Sequence, residues 1–414
     1  MKLPPIIVSG LVLAGGLLLA GEPHSIDAPF LSSLRAEAAS NHPSALAGID
    51  RAKAAANESR SVRLWNDPML GLGFMSASRM MRADDGDIMI GIEQPLPKPG
   101  MLAAESARAI AIQRAELEKA AASGNEAGAR AARAAIELAL ADESIALQEE
   151  QIRWLEKMAE NARQLAVNPA ASVTDALRME TELERERQML EAARRSRAGY
   201  SGILNLALGR SLEKSWPTLS LPLRPLPVPV AHAEVARIPH VNPEVRAMKE
   251  MASAASAETR IADRDRLPEF TLGADAQLFS GTGDIKSTTI GLKLTLPWFN
   301  DRSYQARIDA ASSREAAAHR DIEAMQIEVA AMVVASCADA ANSASQARAL
   351  GAEILTKAAK AADSTEAAWI SSKAPLNDLL DSARILFSIR LEQRRMIARQ
   401  LAALEDLNVL VPTR

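Results

Sequence analysis

The strongest constraint in this chain is internal repetition at one fixed spacing. Asn41-His42-Pro43 is matched by Val241-Asn242-Pro243, and Pro68-Met69-Leu70-Gly71-Leu72-Gly73 by Pro268-Glu269-Phe270-Thr271-Leu272-Gly273. Ile90-Gly91 is matched by Ile290-Gly291 and Pro97 by Pro297, every pair lying 200 residues apart. Four landmarks at one offset mean a duplicated unit, so the fold must give both copies equivalent surroundings. Farther on, Thr174-Asp175-Ala176-Leu177 corresponds loosely to Asn377-Asp378-Leu379-Leu380, with Asp175 and Asp378 203 residues apart. The second copy has therefore gained a few residues after the repeated landmarks. Between the copies runs Leu221-Pro222-Leu223-Arg224-Pro225-Leu226-Pro227-Val228-Pro229. Alternating prolines continue neither a helix nor a central strand, so residues 221–235 are expected to be an extended linker. The repeats are then 21–220 and 236–414.

Within each unit the pattern changes period twice. An Ala/Arg/Glu-rich opening helix is expected at roughly 29–64 and again at 242–265. In the first copy Leu70, Leu72 and Phe74, then Ile88, Ile90 and Ile92, alternate with small or polar residues; in the second, Phe270, Leu272, Ala274, Ala276 and Leu278, then Ile290, Leu292, Leu294 and Leu296, do the same. Period two predicts strands with one apolar face, at about 68–77, 86–96, 269–279 and 287–297. About 9–11 residues is the length of a bilayer-crossing strand. Asp84-Asp85-Gly86 and Ser280–Asp284 supply polar turns, and Pro95, Pro97, Pro99 and Pro297 are expected to end the strands. A soluble hairpin packed on a core is the alternative, but aromatics are only 3% of the chain and no second sheet is available to pack against.

Helical hairpins follow, at 101–209 and 303–411. Leu138, Ala141, Ile145, Ile152, Leu155 and Ala162 recur in steps of 3, 4 and 7, as in a coiled-coil seam. A first arm over 101–167 would be roughly 100 Å long, a strut rather than a globular core helix. The return helices are expected at 174–209 and 376–411. In the first copy the return and opening helices, stacked end to end, match the strut's length.

The fold class expected is mainly α with a membrane β-barrel, from a duplicated helix–strand–strand–helix unit. Four strands cannot close a barrel, and an open sheet edge does not survive in lipid. Closure therefore demands several chains. At the N-terminus, Lys2 and the apolar run Ile6–Ala20 predict a signal peptide over residues 1–20, with an uncleaved anchor as the alternative. Net charge is −4, which excludes a basic nucleic-acid surface, and a single cysteine, Cys337, excludes an intrachain disulfide and reads as a buried inert thiol.

These motifs, in this order and doubled, resemble the outer-membrane efflux channel (TolC) family over nearly the whole mature chain. The resemblance rests on the paired Asn/His-Pro starts, Pro-x-x-x-Leu-Gly before each first strand, and Leu296-Pro297-Trp298-Phe299-Asn300 after the fourth. Val173-Thr174-Asp175-Ala176-Leu177 and Leu376-Asn377-Asp378-Leu379-Leu380-Asp381-Ser382-Ala383 add to it. It implies a homotrimer with twelve barrel strands in the outer membrane and an α-helical tunnel in the periplasm. It further implies a passive exit duct that meets a periplasmic adaptor protein and, through it, an RND-type inner-membrane transporter. Compact length and short extracellular loops are similar to the heavy-metal branch, so metal ions or small toxic compounds are the cargo expected.

The resemblance also points to residues. Asp378 and Asp381 match an acidic pair at the family's periplasmic mouth; at i, i+3 they share a helix face, and threefold symmetry would gather six carboxylates. The alternative is that Asp378 serves the helix dipole. Val173, Thr174, Asp175, Trp369, Lys373 and Leu376 fall at tip or latch positions. Trp369 stands where the family has Tyr, and Ala374 where it has Arg, with Lys373 adjacent, so the latch is left open.

No enzyme is expected. His24, His42, His232, His240 and His319 lack metal-ligand spacing, and no phosphate loop or nucleophile elbow occurs. No cofactor or metal site is expected. Met69, Met75, Met80, Met81, Met89 and Met101 cluster around the first hairpin; thioethers suit Cu(I) or Ag(I), but they also serve as flexible packing. A periplasmic adaptor or a structural coiled-coil protein without a channel are the competing readings.

Overall fold

The computed structural model describes residues 24–63, 65–75, 87–166 and 173–412. The signal-peptide segment and the Asp84-Asp85-Gly86 turn lie outside these residues. A short strand β1 (His24–Ser25) is followed by α1 (Ala28–Asn41), α2 (Pro43–Arg60), β2 (Met69–Met75), β3 (Asp87–Leu96), α3 (Met101–Ala166) and α4 (Val173–Ala207). The second copy repeats the order after β4 (Leu219–Ser220): α5 (Ala231–Val241), α6 (Pro243–Asp265), β5 (Phe270–Phe279) and β6 (Ile285–Leu294). A 3₁₀ turn at Pro297–Asn300 leads into α7 (Asp301–Ala349), α8 (Leu355–Ile370) and α9 (Leu376–Leu410).

The first opening helix, expected as one piece over 29–64, is two, whereas the second is one helix close to its expected 242–265, preceded by α5. Proline biases its predecessor toward extended backbone, and His42 (ψ 132°) and Asn242 (ψ 121°) are extended. Each then caps the next helix: His42 Nδ1 accepts from Ser44 N at 3.2 Å, and the Asn242 side chain from Val245 N at 2.9 Å. Proline at the first helical position needs no N–H, so the break repeats in both copies. The linker is shorter than expected, because α5 begins at Ala231.

The return and opening helices do stack along α3, with an overlap. The C-terminus of α4 ends against α1, where Arg210 pairs with Glu37. The end of α4 is a Schellman turn: Arg210 N donates to Asn205 O at 2.8 Å and Gly209 N to Leu206 O at 3.0 Å. Gly209 has φ +70°, and a Cβ there would lie 2.8 Å from Asn41 O, so glycine is required twice over.

The second strut runs over 301–370, and within it Leu350–Ile354 form a π-helical turn where the strut packs along α9.

The four longer strands form one antiparallel sheet in the order β2-β3-β5-β6, leaving β2 and β6 as unpaired edges. Pro95 does not end β3; it lies inside the strand, opposite Thr271 of β5. Pairing of β3 with β2 stops at Glu93, so Pro95 interrupts no ladder on that side. Register places Leu70, Ile92, Ala274 and Ile290 in one row of one face, and Gly71, Gly91, Asp275 and Thr289 in the next row of the other.

Buried side chains form three clusters along the struts: a middle one with Leu31, Leu34, Ile136 and Leu204, one toward the sheet with Val329, Val333 and Cys337, and one at the far tip. Cys337 is buried, and burial pushes its thiol pKa up, which keeps it protonated and inert. The linker is a strap tied to the middle cluster. Asp142 and Glu143 accept from the backbone N–H groups of Leu219 (2.8 Å) and Leu221 (2.7 Å), and Gln400 bonds both N–H and C=O of Leu226.

Candidate functional site

The tip farthest from the sheet brings most of the sequence-predicted residues together. Its core is Ile152, Leu155 and Met158 of α3, Met179 and Leu183 of α4, Trp369 of α8, and Leu376, Leu379 and Leu380 of α9. Trp369 and Leu376, expected as latch candidates, are 5% and 3% exposed. Both are packed into the core of the tip. Val173 begins α4, and its side chain lies outside the described residues. Thr174 is exposed on a groove between α4 and α9, and Asp175 is half-buried in the first turn of α4. Lys373 is exposed in the α8–α9 turn.

That turn is the second Schellman motif, without glycine. Lys373 N donates to Ala368 O at 2.7 Å and Ser372 N to Trp369 O at 2.9 Å, with Ser372 at φ +57°. A left-handed non-glycine residue costs about 1 kcal/mol or more, so the tip turn holds strain that the Gly209 turn does not.

Asp378 and Asp381 are both exposed on α9. Asp378 lies in the first turn of α9, whose N-cap Pro375 offers no side-chain cap, so its charge also faces the helix dipole. Asp381 is not left alone: Arg384 Nη1 lies 3.3 Å from it. Arg384 Nη2 donates at 2.8 Å to Glu182 on α4, and Arg185 donates to the same Glu182 oxygen at 2.9 Å. The Glu182 carboxylate, by its hydrogen bond first, raises the Arg384 pKa further and keeps the guanidinium charged. A cavity of about 590 Å³ between α4 and α9 is lined by Thr174, Leu177, Glu182, Asn377, Asp381 and Arg384.

Further polar ties cross the tip. Glu366 of α8 accepts from Trp154 Nε1 at 2.9 Å and Lys157 Nζ at 3.1 Å, both on α3, and Arg390 of α9 donates to Glu150 of α3 at 2.6 Å. The two coiled-coil pairs of one chain are thus held by ions rather than by core alone. Sequence reasoning missed Glu182, Arg384 and Glu366. Arg384 could have been found, three residues past Asp381 on one helix face; nothing distinguishes Glu182 from the other charges of its Glu/Arg-rich helix.

At the opposite end, the apolar face of the sheet is bare: Leu70, Leu72, Phe74, Ile290 and Leu292 are 62–77% exposed. Trp65, Trp298 and Phe299, at the base of the strands, are exposed too. The other face carries Glu93, Asp275, Gln277 and Lys293 among glycines. Met69, Met75 and Met89 share it, while Met80 and Met81 lie outside the described residues. Among the described residues no group of three or more His, Cys, Asp or Glu is arranged to hold a metal ion.

Residues 239–411 match the family described as outer membrane efflux protein. No match to a curated protein sequence was found. Among solved structures, the chain is similar to CusC, in a study of conformational changes accompanying folding and transmembrane channel formation, with TM-score 0.79, 15% identity, and 92% of this chain and 91% of that one covered. It is similar to the open-state MtrE outer membrane channel of Neisseria gonorrhoeae (TM-score 0.75, 17% identity, 92% and 88% covered). It is likewise similar to the outer membrane protein VceC of Vibrio cholerae (TM-score 0.75, 15% identity, 92% and 95% covered).

Proposed function

We propose that the chain belongs to the outer membrane efflux protein family and is a passive exit duct in the outer membrane, since residues 239–411 match that family and the chain shares the fold of solved outer-membrane channels along its length. One observation carries the reading: a four-stranded sheet with two open edges and a bare apolar face sits at the end of struts roughly 100 Å long. Such a sheet is stable in lipid only as a sector of a closed barrel. Three chains supply twelve strands, β2 of one copy pairing with β6 of the next. Exposed Trp65, Trp298 and Phe299 then form an aromatic belt at the inner interface.

The helices support the same assembly. Within 297–370 an 18-residue stretch has mean hydropathy 1.4, yet only 22% of it is buried in the single chain. Its apolar face is covered by a neighbouring copy in the trimer. The helices enclose a periplasmic tunnel that ends at the tip, where Asp378 and Asp381 of three copies form the gate. The groove between α4 and α9 faces outward and receives the helical hairpin of an adaptor, which couples the duct to an inner-membrane transporter. Metal ions or small toxic compounds are the cargo; the duct does no chemistry on them.

The test is fractionation followed by planar-bilayer recording. An outer-membrane trimer with single-channel conductance is expected. A monomer recovered in the soluble periplasm overturns the duct. Sensitivity profiling of a deletion strain against metals and antibiotics distinguishes the cargo classes.

A further inference from the structure

The inward face of the sheet has few side chains and an unequal set of charges. Glycines 71, 73, 91, 273 and 291 all lie on it. Glu93 and Lys293 occupy equivalent positions in the two repeats, 200 residues apart, and carry opposite charges. They do not face each other directly in the register: Glu93 lies opposite Gly273, and Gly273 opposite Gly291. The missing side chain at Gly273 leaves a corridor across β5, and Lys293 Nζ reaches Glu93 Oε1 through it at 2.5 Å. A Cβ on Gly273 would touch Glu93 Cγ at 3.5 Å. At that separation the two charges cancel for any ion more than a few ångströms away.

Asp275 is placed differently. Its row is Gly71, Gly91, Asp275 and Thr289, so it is the one charged residue of that row. Its carboxylate lies over Gly91, 2.0 Å from where a Cβ would sit, so only glycine leaves room for it. It is exposed and makes no hydrogen bond or ion pair among the described residues; the Lys293 ammonium feels its charge, but only after that of Glu93, which holds Lys293 by a hydrogen bond.

We propose that Asp275 sets the ion selectivity of the barrel lumen, with Glu93 and Lys293 forming a neutral pair beside it. This rests on the duct reading. In a trimer three Asp275 carboxylates share one level, and a ring of like charges inside low-dielectric walls concentrates cations. At 0.1 M salt the Debye length is about 10 Å, comparable to the lumen radius that twelve strands allow, so the ring acts on a passing ion rather than being screened.

The experiment measures reversal potentials of the full-length trimer in a KCl gradient. Asp275→Asn should lower the K⁺ over Cl⁻ permeability ratio at least twofold, and Asp275→Glu should keep it. The double variant Glu93→Gln, Lys293→Gln should not lower it, since the pair removed is neutral overall and its cation is the charge that faces Asp275. An unchanged ratio in Asp275→Asn overturns the proposal, as does a double variant that lowers the ratio as much as Asp275→Asn. Absence of conductance in the wild-type trimer is a different result: it refutes the duct itself.

Discussion

Asp142→Ala should release the strap that joins the two repeats. The Asp142 side chain is 3% exposed and holds two elements at once. One oxygen pairs with Arg197 Nε of α4; the other accepts from Arg197 Nη2 at 3.2 Å and from Leu219 N at 2.8 Å. Arg197 also donates to the carbonyls of Trp216 and Pro217, at 3.3 and 3.1 Å, so it stays partly satisfied after the substitution. Leu219 N–H does not: its residue is 1% exposed and no other acceptor holds it. A hydrogen bond to a charged group contributes about 1.5–3 kcal/mol, and an orphaned buried donor costs a similar amount. Local opening of the strap then becomes easier by about 2 kcal/mol, or roughly 30-fold. Glu143, Gln400 and the β1–β4 bridge remain, so the repeats stay joined. Hydrogen–deuterium exchange of the purified trimer should show a peptide spanning residues 216–228 exchanging about 30-fold faster, with α3 and α4 peptides little changed. Asp142→Asn keeps an acceptor and should give a smaller effect. Unchanged exchange at Leu219, or an equal rise through α3 and α4, would refute the reasoning, since either removes the strap as a locally anchored unit.

Arg384→Ala should loosen the tip, because Arg384 is the link from α9 to Glu182 of α4; a partly exposed pair of this kind is worth about 1 kcal/mol, so the open fraction in single-channel records should rise several-fold. The charge-swapped pair Arg384→Glu, Glu182→Arg should restore closure, and equal leakiness in the swap would mean that the ions do not hold the tip. Glu405 is buried between α1 and α3, with Oε2 unbonded and Arg35 Nε 3.5 Å away, and burial raises its pKa above the ordinary 4.5 despite Arg35. The folded state therefore favours the protonated acid, so its contribution is full below pH 4.5 and is lost as pH rises through the raised value. Glu405→Gln should raise the thermal midpoint at pH 8 and flatten its fall as pH rises above 4.5; a lower midpoint at pH 8 would show that the Arg35 pair outweighs desolvation.

How much of this was legible follows from the range of each interaction. Period-two alternation at Leu70–Phe74 and Ile290–Leu294 reveals strands because each strand has one face in contact with lipid or solvent, whatever its partners. The 200-residue repeat fixes the doubling, and His42-Pro43 and Asn242-Pro243 mark helix starts because a proline acts on its own neighbour. The break in the first opening helix was nevertheless missed, since an Ala-rich run looks continuous across His42. The burial of Trp369 was not legible for the opposite reason: the tip cluster it joins exists only once helices far apart in the chain meet.

The sequence by itself determined the duplicated unit, the four strands and the struts. These are local or periodic properties, and an open four-stranded sheet follows from counting. Only the tertiary structure decided which charges cancel. Arg384 is drawn to Glu182 and Lys293 to Glu93, each across about 200 residues, while Asp275 and Asp378 are left exposed without an ion pair among the described residues. A salt bridge forms only within about 4 Å, and the chain order does not record which side chains the helices and strands bring that close.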